Sequence, residues 1–194
     1  PETLFVSASK SGTTAEVTAL TAYFYQQVKA ERGRAAGENF VAITDAGSAF
    51  QRYAEAHDFR RFFLNPADVG GRFSVLTAFG MVPAALLGLD LERMFCSAYA
   101  ARAASEVDTP DAGPSALRLG QAMARSALAG RNKLTLLLSP QLGAFSAWVE
   151  QLVAESTGKS SIGIIPVIDE TLPIGAYGAE RFFVAVTLDG DRTE

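Results

Sequence analysis

The chain has 194 residues, 48% apolar and 20% charged, which fits one compact domain or two small ones and excludes wholesale disorder. Its 17 basic and 21 acidic side chains leave a formal charge of −4, so a nucleic-acid partner would need a local basic patch, and none is visible. A single cysteine, Cys96, and a single histidine, His57, exclude an internal disulfide and a zinc cluster of His and Cys ligands. No stretch approaches the roughly 18 uninterrupted apolar residues of a membrane span. The expected setting is a reducing cytoplasm, with no membrane contact. Because the sequence enters a strand-like run directly after Pro1 and closes on a polar stretch, it is expected to be a segment of a larger protein, whose remainder is its partner.

Apolar runs alternate with amphipathic stretches. Leu4-Phe5-Val6 reads as a strand, followed by a polar loop over Ser7–Thr14 and a helix from about Ala15 to Glu31. Thr13 and Glu16 have capping-box spacing at its start. Asn39–Ile43 reads as a second strand, Ala49–Ala56 as a short helix, and Arg61–Leu64 as a third strand. A helix-rich middle runs from Ser74 to about Ala104, with a kink expected at Pro83. The acidic, breaker-rich stretch Glu106–Pro114 reads as a linker between a first lobe (1–105) and a second (115–194). In the second lobe, Ser115–Ala129 and Ala144–Glu155 read as helices, and Leu134–Leu138, Ile162–Ile168 and Arg181–Thr187 as strands. Recurring strand–loop–helix units predict an α/β fold with parallel sheets covered by helices.

Three places concentrate chemistry. Ser9-Lys10-Ser11-Gly12-Thr13-Thr14 collects hydroxyls and free backbone N–H groups at the start of a helix, where the dipole favours a phosphate. Gly12 would let the backbone approach such a ligand, and the spacing of a P-loop is missing; an ordinary capped turn uses the same residue types. Gly70-Gly71-Arg72-Phe73-Ser74 precedes an apolar helix. Its glycines permit a tight bend, Ser74 is a candidate cap, and Arg72 either meets an anion there or pairs with a nearby carboxylate. Glu155 continues the spacing of Phe145, Trp148 and Leu152 along one helix and sits just before Gly158. Partial burial and the negative helix end would both raise its pKa toward the range of a general base, although glutamates at helix ends are also commonly just solvated. His57 is expected in a helix-terminal role, Cys96 in the core, and Phe62, Phe63, Phe182 and Phe183 in core strands.

Ala8–Glu16, Asp68–Ser74 and Ala154-Glu155-Ser156-Thr157-Gly158-Lys159-Ser160 occur in the order found in glucose-6-phosphate isomerases, which the chain resembles from about Thr3 to Thr187. The first segment is similar to the Ser-x-Ser-Gly-x-Thr loop of sugar isomerase (SIS) domains. The stretch Ala176–Arg181 resembles the isomerase part of bacterial transaldolase/glucose-6-phosphate isomerase fusions. The resemblance implies two SIS-type αβα lobes with a site at their junction, a sugar-phosphate substrate, a homodimer and no cofactor. It implies that Ser9, Lys10, Ser11 and Thr14 hold the phosphate and that Arg72, beside Gly71 in the substrate loop, stabilises enediolate charge. Glu155 would carry the proton between C2 and C1 as glucose 6-phosphate and fructose 6-phosphate interconvert. The family's ring-opening histidine and C-terminal lysine have no counterpart here, so the resemblance implies an incomplete enzyme. A phosphosugar-binding module without turnover is the competing reading; retention of both Arg72 and Glu155 favours the isomerase.

Overall fold

Three short segments rich in β-branched and aromatic residues, Phe5–Ala8 (β1), Phe40–Asp45 (β2) and Arg61–Asn65 (β3), pair in parallel in the order β1-β2-β3. The computed structural model describes residues 2–106, 115–160 and 162–190. Within them the chain divides into two compact units, Pro1–Phe95 and Cys96–Glu194. Beyond Glu106, the linker expected over 106–114 lies outside the described residues.

In the first unit β2 is the central strand, with Val41 and Ile43 opposite Arg61 and Phe63 on one side and Val6 and Ala8 on the other. Alternate residues of a strand point to opposite faces, and here both faces are covered. Phe40 and Ala42 pack with Tyr25 and Val28 of Ala15–Arg32 (α1), with Phe50 and Ala54 of Ala49–Ala56 (α2), and with Phe59. Helix Ala78–Leu86 (α3) packs against β2 and β3, and its Met81 shares an apolar groove with Val41 and Phe63. Phe40, Ala42, Ile43 and Thr44 are all 0% exposed, which makes β2 the core of the unit. Pro83 lies inside α3 as expected. A turn at Gly88, where φ is +75°, leads to Leu91–Ala104 (α4).

The second unit repeats the plan. Ser115–Leu128 (α5) turns at Gly130 into Lys133–Leu138 (β4), the central strand of a parallel sheet ordered β5-β4-β6, with Ile165–Val167 (β5) and Arg181–Val186 (β6) as its neighbours. Helix Gly143–Thr157 (α6) packs on β4 and β5. Arg181, with its side chain 10% exposed, forks onto Glu170 at 2.7 Å and donates to Thr135 Oγ1 at 3.1 Å, tying the chain after β5 to β6 and β4. At the start of the sheet Lys133 donates to Glu180 at 2.9 Å, a bond that holds the Glu180 carboxyl below the usual carboxylate range.

The α/β class with parallel sheets flanked by helices therefore stands, and two local expectations do not. Phe62 (37%) and Phe183 (43%) are exposed, while Phe63 and Phe182 are only half-buried. All four lie on the outer strands β3 and β6; the buried strands are the central ones, β2 and β4. Cys96 is exposed instead of buried, because α4 presents no buried residue at all.

The contrast between central and outer strands is measurable. Phe40→Ala should cost about 3–5 kcal/mol, and Phe62→Ala less than half of that, because only Phe40 leaves a closed cavity. Chemical denaturation followed by circular dichroism reads both, and equal losses would contradict this account of the core.

Candidate functional site

The loop between β1 and α1 folds on its own hydroxyls. Ser9 is 4% exposed, its N–H donates to Ile43 O at 2.9 Å, and its Oγ accepts from Gly12 N at 3.1 Å. The same hydroxyl reaches Thr14 Oγ1 at 3.4 Å. Ser11 and Thr13 are exposed and share a hydroxyl–hydroxyl bond of 2.7 Å. Thr14 takes the N-cap position of α1 with extended backbone (φ −68°, ψ 114°), yet its side chain makes no capping bond. The capping box expected of Thr13 and Glu16 is absent, since Thr13 bonds Ser11 instead. The positive end of an 18-residue helix therefore opens next to three exposed hydroxyls, Ser11, Thr13 and Thr14, with no side-chain cap.

Gly12 is needed where the loop meets the neighbouring helix. Its φ is +75°, and a Cβ there would stand 2.4 Å from Phe50 N and 2.7 Å from Phe50 Cβ. The glycine lets the loop press on the start of α2. Lys10 is also committed inside the protein: its ammonium pairs with Asp45 at the end of β2 and donates to Ala67 O at 3.0 Å. Of the four residues expected at a phosphate, two are exposed at the helix end and two brace the loop beneath them.

The chain after β3 turns at Pro66–Val69 and enters a short 3-10 segment, Gly71–Leu76, that carries Arg72. Gly70 has ordinary extended dihedrals (φ −62°, ψ 149°), and a Cβ on Gly71 would meet open space. The expected tight bend does not rely on either glycine. Ser74 is not a helix cap, since its hydroxyl donates to Gly71 O at 2.7 Å and Thr77 caps α3. Arg72 thus belongs to the 3-10 segment instead of a helix N-terminus; it is half-buried, with Cζ 5.6 Å from the centroid of the Phe73 ring.

Glu155 lies on the last turns of α6, and the helix ends before Gly158 as expected. It is exposed, which corrects the partial burial inferred from spacing. Ser146, Val149 and Val153 are among the buried and half-buried residues of α6, whereas Phe145 (38%) and Trp148 (40%) stay exposed and pack on each other at 5.3 Å. Of the apolar stripe read from the sequence, Leu152 is half-buried, while Phe145 and Trp148 lie on a second, exposed face of the helix. Gln151 Nε2 donates to Glu155 Oε1 at 3.1 Å, and an open cleft of about 500 Å³ runs past Glu150, Ala154 and Gly158. His57 closes α2 as expected, bonded through Nδ1 to Tyr53 O at 2.8 Å and stacked on the Tyr53 ring.

One residue that sequence reasoning passed over matters here, Asp45, and one named only as part of the loop and its capping box, Thr13, takes a further place. Thr13 supplies a third exposed hydroxyl; its only signal was its place in the loop. Asp45 holds Lys10, and its signal is a carboxylate closing an otherwise buried strand.

The ordered loops of both units leave the carboxyl ends of parallel strands, which defines the class of α/β protein whose ligands bind at that edge. The family profile described as Phosphoglucose isomerase matches residues 1–170, and the chain belongs to that family. It is 38% identical over 162 residues to a glucose-6-phosphate isomerase of Clostridioides difficile (81% of this chain, 35% of the relative). It is 37% identical over 163 residues to one from Symbiobacterium thermophilum (81% of this chain, 36% of the relative). The chain thus spans about a third of the length of the curated relatives it matches. Among solved structures, a hypothetical protein from Thermus thermophilus superposes with a TM-score of 0.77 at 28% identity, covering 87% of this chain and 41% of that one. A glucose-6-phosphate isomerase from Chlamydia trachomatis gives 0.68 at 26% identity, covering 87% and 35%.

The two loop glycines should respond oppositely to alanine. Gly12→Ala meets the Phe50 backbone at a left-handed position and should destabilise the protein by more than about 1 kcal/mol. Gly71→Ala meets nothing and should hold or raise the melting temperature. Thermal denaturation of both variants checks the pair.

Proposed function

We propose that this chain supplies the phosphate anchor, the charge-stabilising cation and the proton-transfer base of an aldose–ketose isomerase acting on glucose 6-phosphate and fructose 6-phosphate. The observation that carries the reading is the uncapped start of α1 beside the exposed hydroxyls of Ser11, Thr13 and Thr14. A helix N-terminus with hydroxyl donors suits a dianionic phosphate, and holding that end of the sugar fixes the reacting carbons. Ser9 serves the same anchor from below through its hydroxyl and main chain, and Lys10 through its main-chain carbonyl alone.

In this reading the Glu155 carboxylate takes the proton from C2 of the open-chain aldose and electrons move onto the carbonyl oxygen O1; the hydroxyl proton of O2 passes to O1, and the same group returns the carbon proton at C1 as O2 becomes the new carbonyl. The intermediate enediolate carries negative charge on adjacent oxygens, and the Arg72 guanidinium supplies a fixed fork of donors for it. Membership of the phosphoglucose isomerase family supports this assignment over a module that binds phosphosugars without turnover.

Titration of the complete protein with fructose 6-phosphate and with fructose tests the anchor. The phosphate ester should bind much more tightly, and equal affinity would defeat the reading. Arg72→Lys should reduce kcat on the order of 100-fold with a smaller change in substrate affinity, because the lost donors act on charge that develops only during reaction. Glu155→Gln should still bind substrate and should neither isomerise nor release deuterium from C2-deuterated glucose 6-phosphate. Label release at the parent's rate would place the base elsewhere.

A further inference from the structure

Lys10 Nζ leaves the loop after β1, pairs with Asp45 at the end of β2, and donates to Ala67 O in the turn after β3. One ammonium thus joins the chain beyond the carboxyl end of all three strands of the first unit. Its carboxylate partner is 13% exposed, and Asp45 Oδ1 is buried with no hydrogen-bond partner among the described residues. A buried acceptor left unpaired costs stability, and among the described residues Lys10 is the side chain that pairs with this carboxylate.

The two loops that Lys10 joins depend on it unequally. The hydroxyl loop is held to β2 without the ammonium: Asp45 N and Thr44 Oγ1 donate to Lys10 O at 3.1 and 3.2 Å, and Ser9 N donates to Ile43 O at 2.9 Å. The turn after β3 receives the Lys10 bond at Ala67, a few residues before Arg72, and its Val69 N–Pro66 O bond is internal to the turn. Breaking the Lys10–Asp45 pair should therefore loosen the Arg72 segment and spare the anion loop.

We propose that Asp45 is a positioning residue: through Lys10 it fixes the segment that carries Arg72 relative to the phosphate anchor. The proposal rests on the isomerase reading for its kinetic consequence and on geometry alone for its structural one. Asp45→Asn keeps the shape and removes the charge that orders the ammonium. Lys10→Met combined with Asp45→Asn removes both charges, leaves no unpaired ion that would endanger folding, and still cuts the link to Ala67.

The experiment uses the complete protein and these two variants. Amide hydrogen exchange should accelerate across 66–72 in both, with little change across 9–14. The kcat for fructose 6-phosphate should fall roughly 10- to 100-fold, as expected when a charge-stabilising group is misplaced by about an ångström. Competitive inhibition by inorganic phosphate should stay near that of the parent. Unchanged exchange across 66–72 overturns the proposal. So does a loss of phosphate affinity parallel to the loss of kcat, which would make Lys10 a direct ligand of the anion. If the parent protein turns over no sugar phosphate, the isomerase reading fails and hydrogen exchange alone decides whether Asp45 positions this segment.

Discussion

A backbone pressed against another backbone has no room for a side chain, and the approach of Gly12 to Phe50 sets the form of the loop at the head of α1. With Gly12 at φ +75° and its N–H bonded to Ser9, the turn reverses within a few residues. Ser9 is thereby drawn inside, and Ser11, Thr13 and Thr14 are left on the outside. The hydroxyls bond one another or the turn, so none is left to cap the helix. A feature that looks like poor helix design is what the proposed phosphate anchor rests on. Local structure gives up a cap, and the dipole of a long helix remains open to a ligand.

This arrangement has a rigid base. Strand β2 pairs on both edges and is covered on both faces, so its carboxyl end can move only with the whole unit. Asp45 and Thr44 at that end take hold of Lys10 by side chain and main chain. Asn65 Nδ2 adds a bond to Thr44 O at 3.1 Å from the neighbouring strand. Ser9, Thr44 and Asn65 are buried polar residues here, and their bonds tie the loop after β1 and the neighbouring strand to the end of β2.

Much of the fold is legible in the sequence because the hydrophobic periods are clean: the helices and strands of both units fall within a few residues of their expected places, apart from β5, which is shorter than its apolar run suggests. What cannot be read is which strands lie inside. Arg61–Asn65 and Arg181–Val186 are as aromatic as Phe40–Asp45, yet sheet order makes them outer strands, and order is a long-range property. The site is legible as a set of loops and less so as a set of roles. Lys10 looks like an anion ligand because its partner Asp45 is distant in sequence. Glu155 looks half-buried because α6 carries two apolar faces and spacing alone cannot say which one meets the sheet.

That second face of α6 holds the only tryptophan of the chain, Trp148, stacked on Phe145 on the helix that also carries Glu155. The emission of an indole depends on its solvent contact and on the ring beside it. Intrinsic fluorescence excited at the red edge therefore samples a single helix of the second unit and is blind to the sheet around β2, whose aromatic signals come from phenylalanine and from Tyr23, Tyr25 and Tyr53. The protein carries its own optical reporter about two helical turns from its candidate base, and a change in Trp148 emission on adding a sugar phosphate would be a local signal from α6.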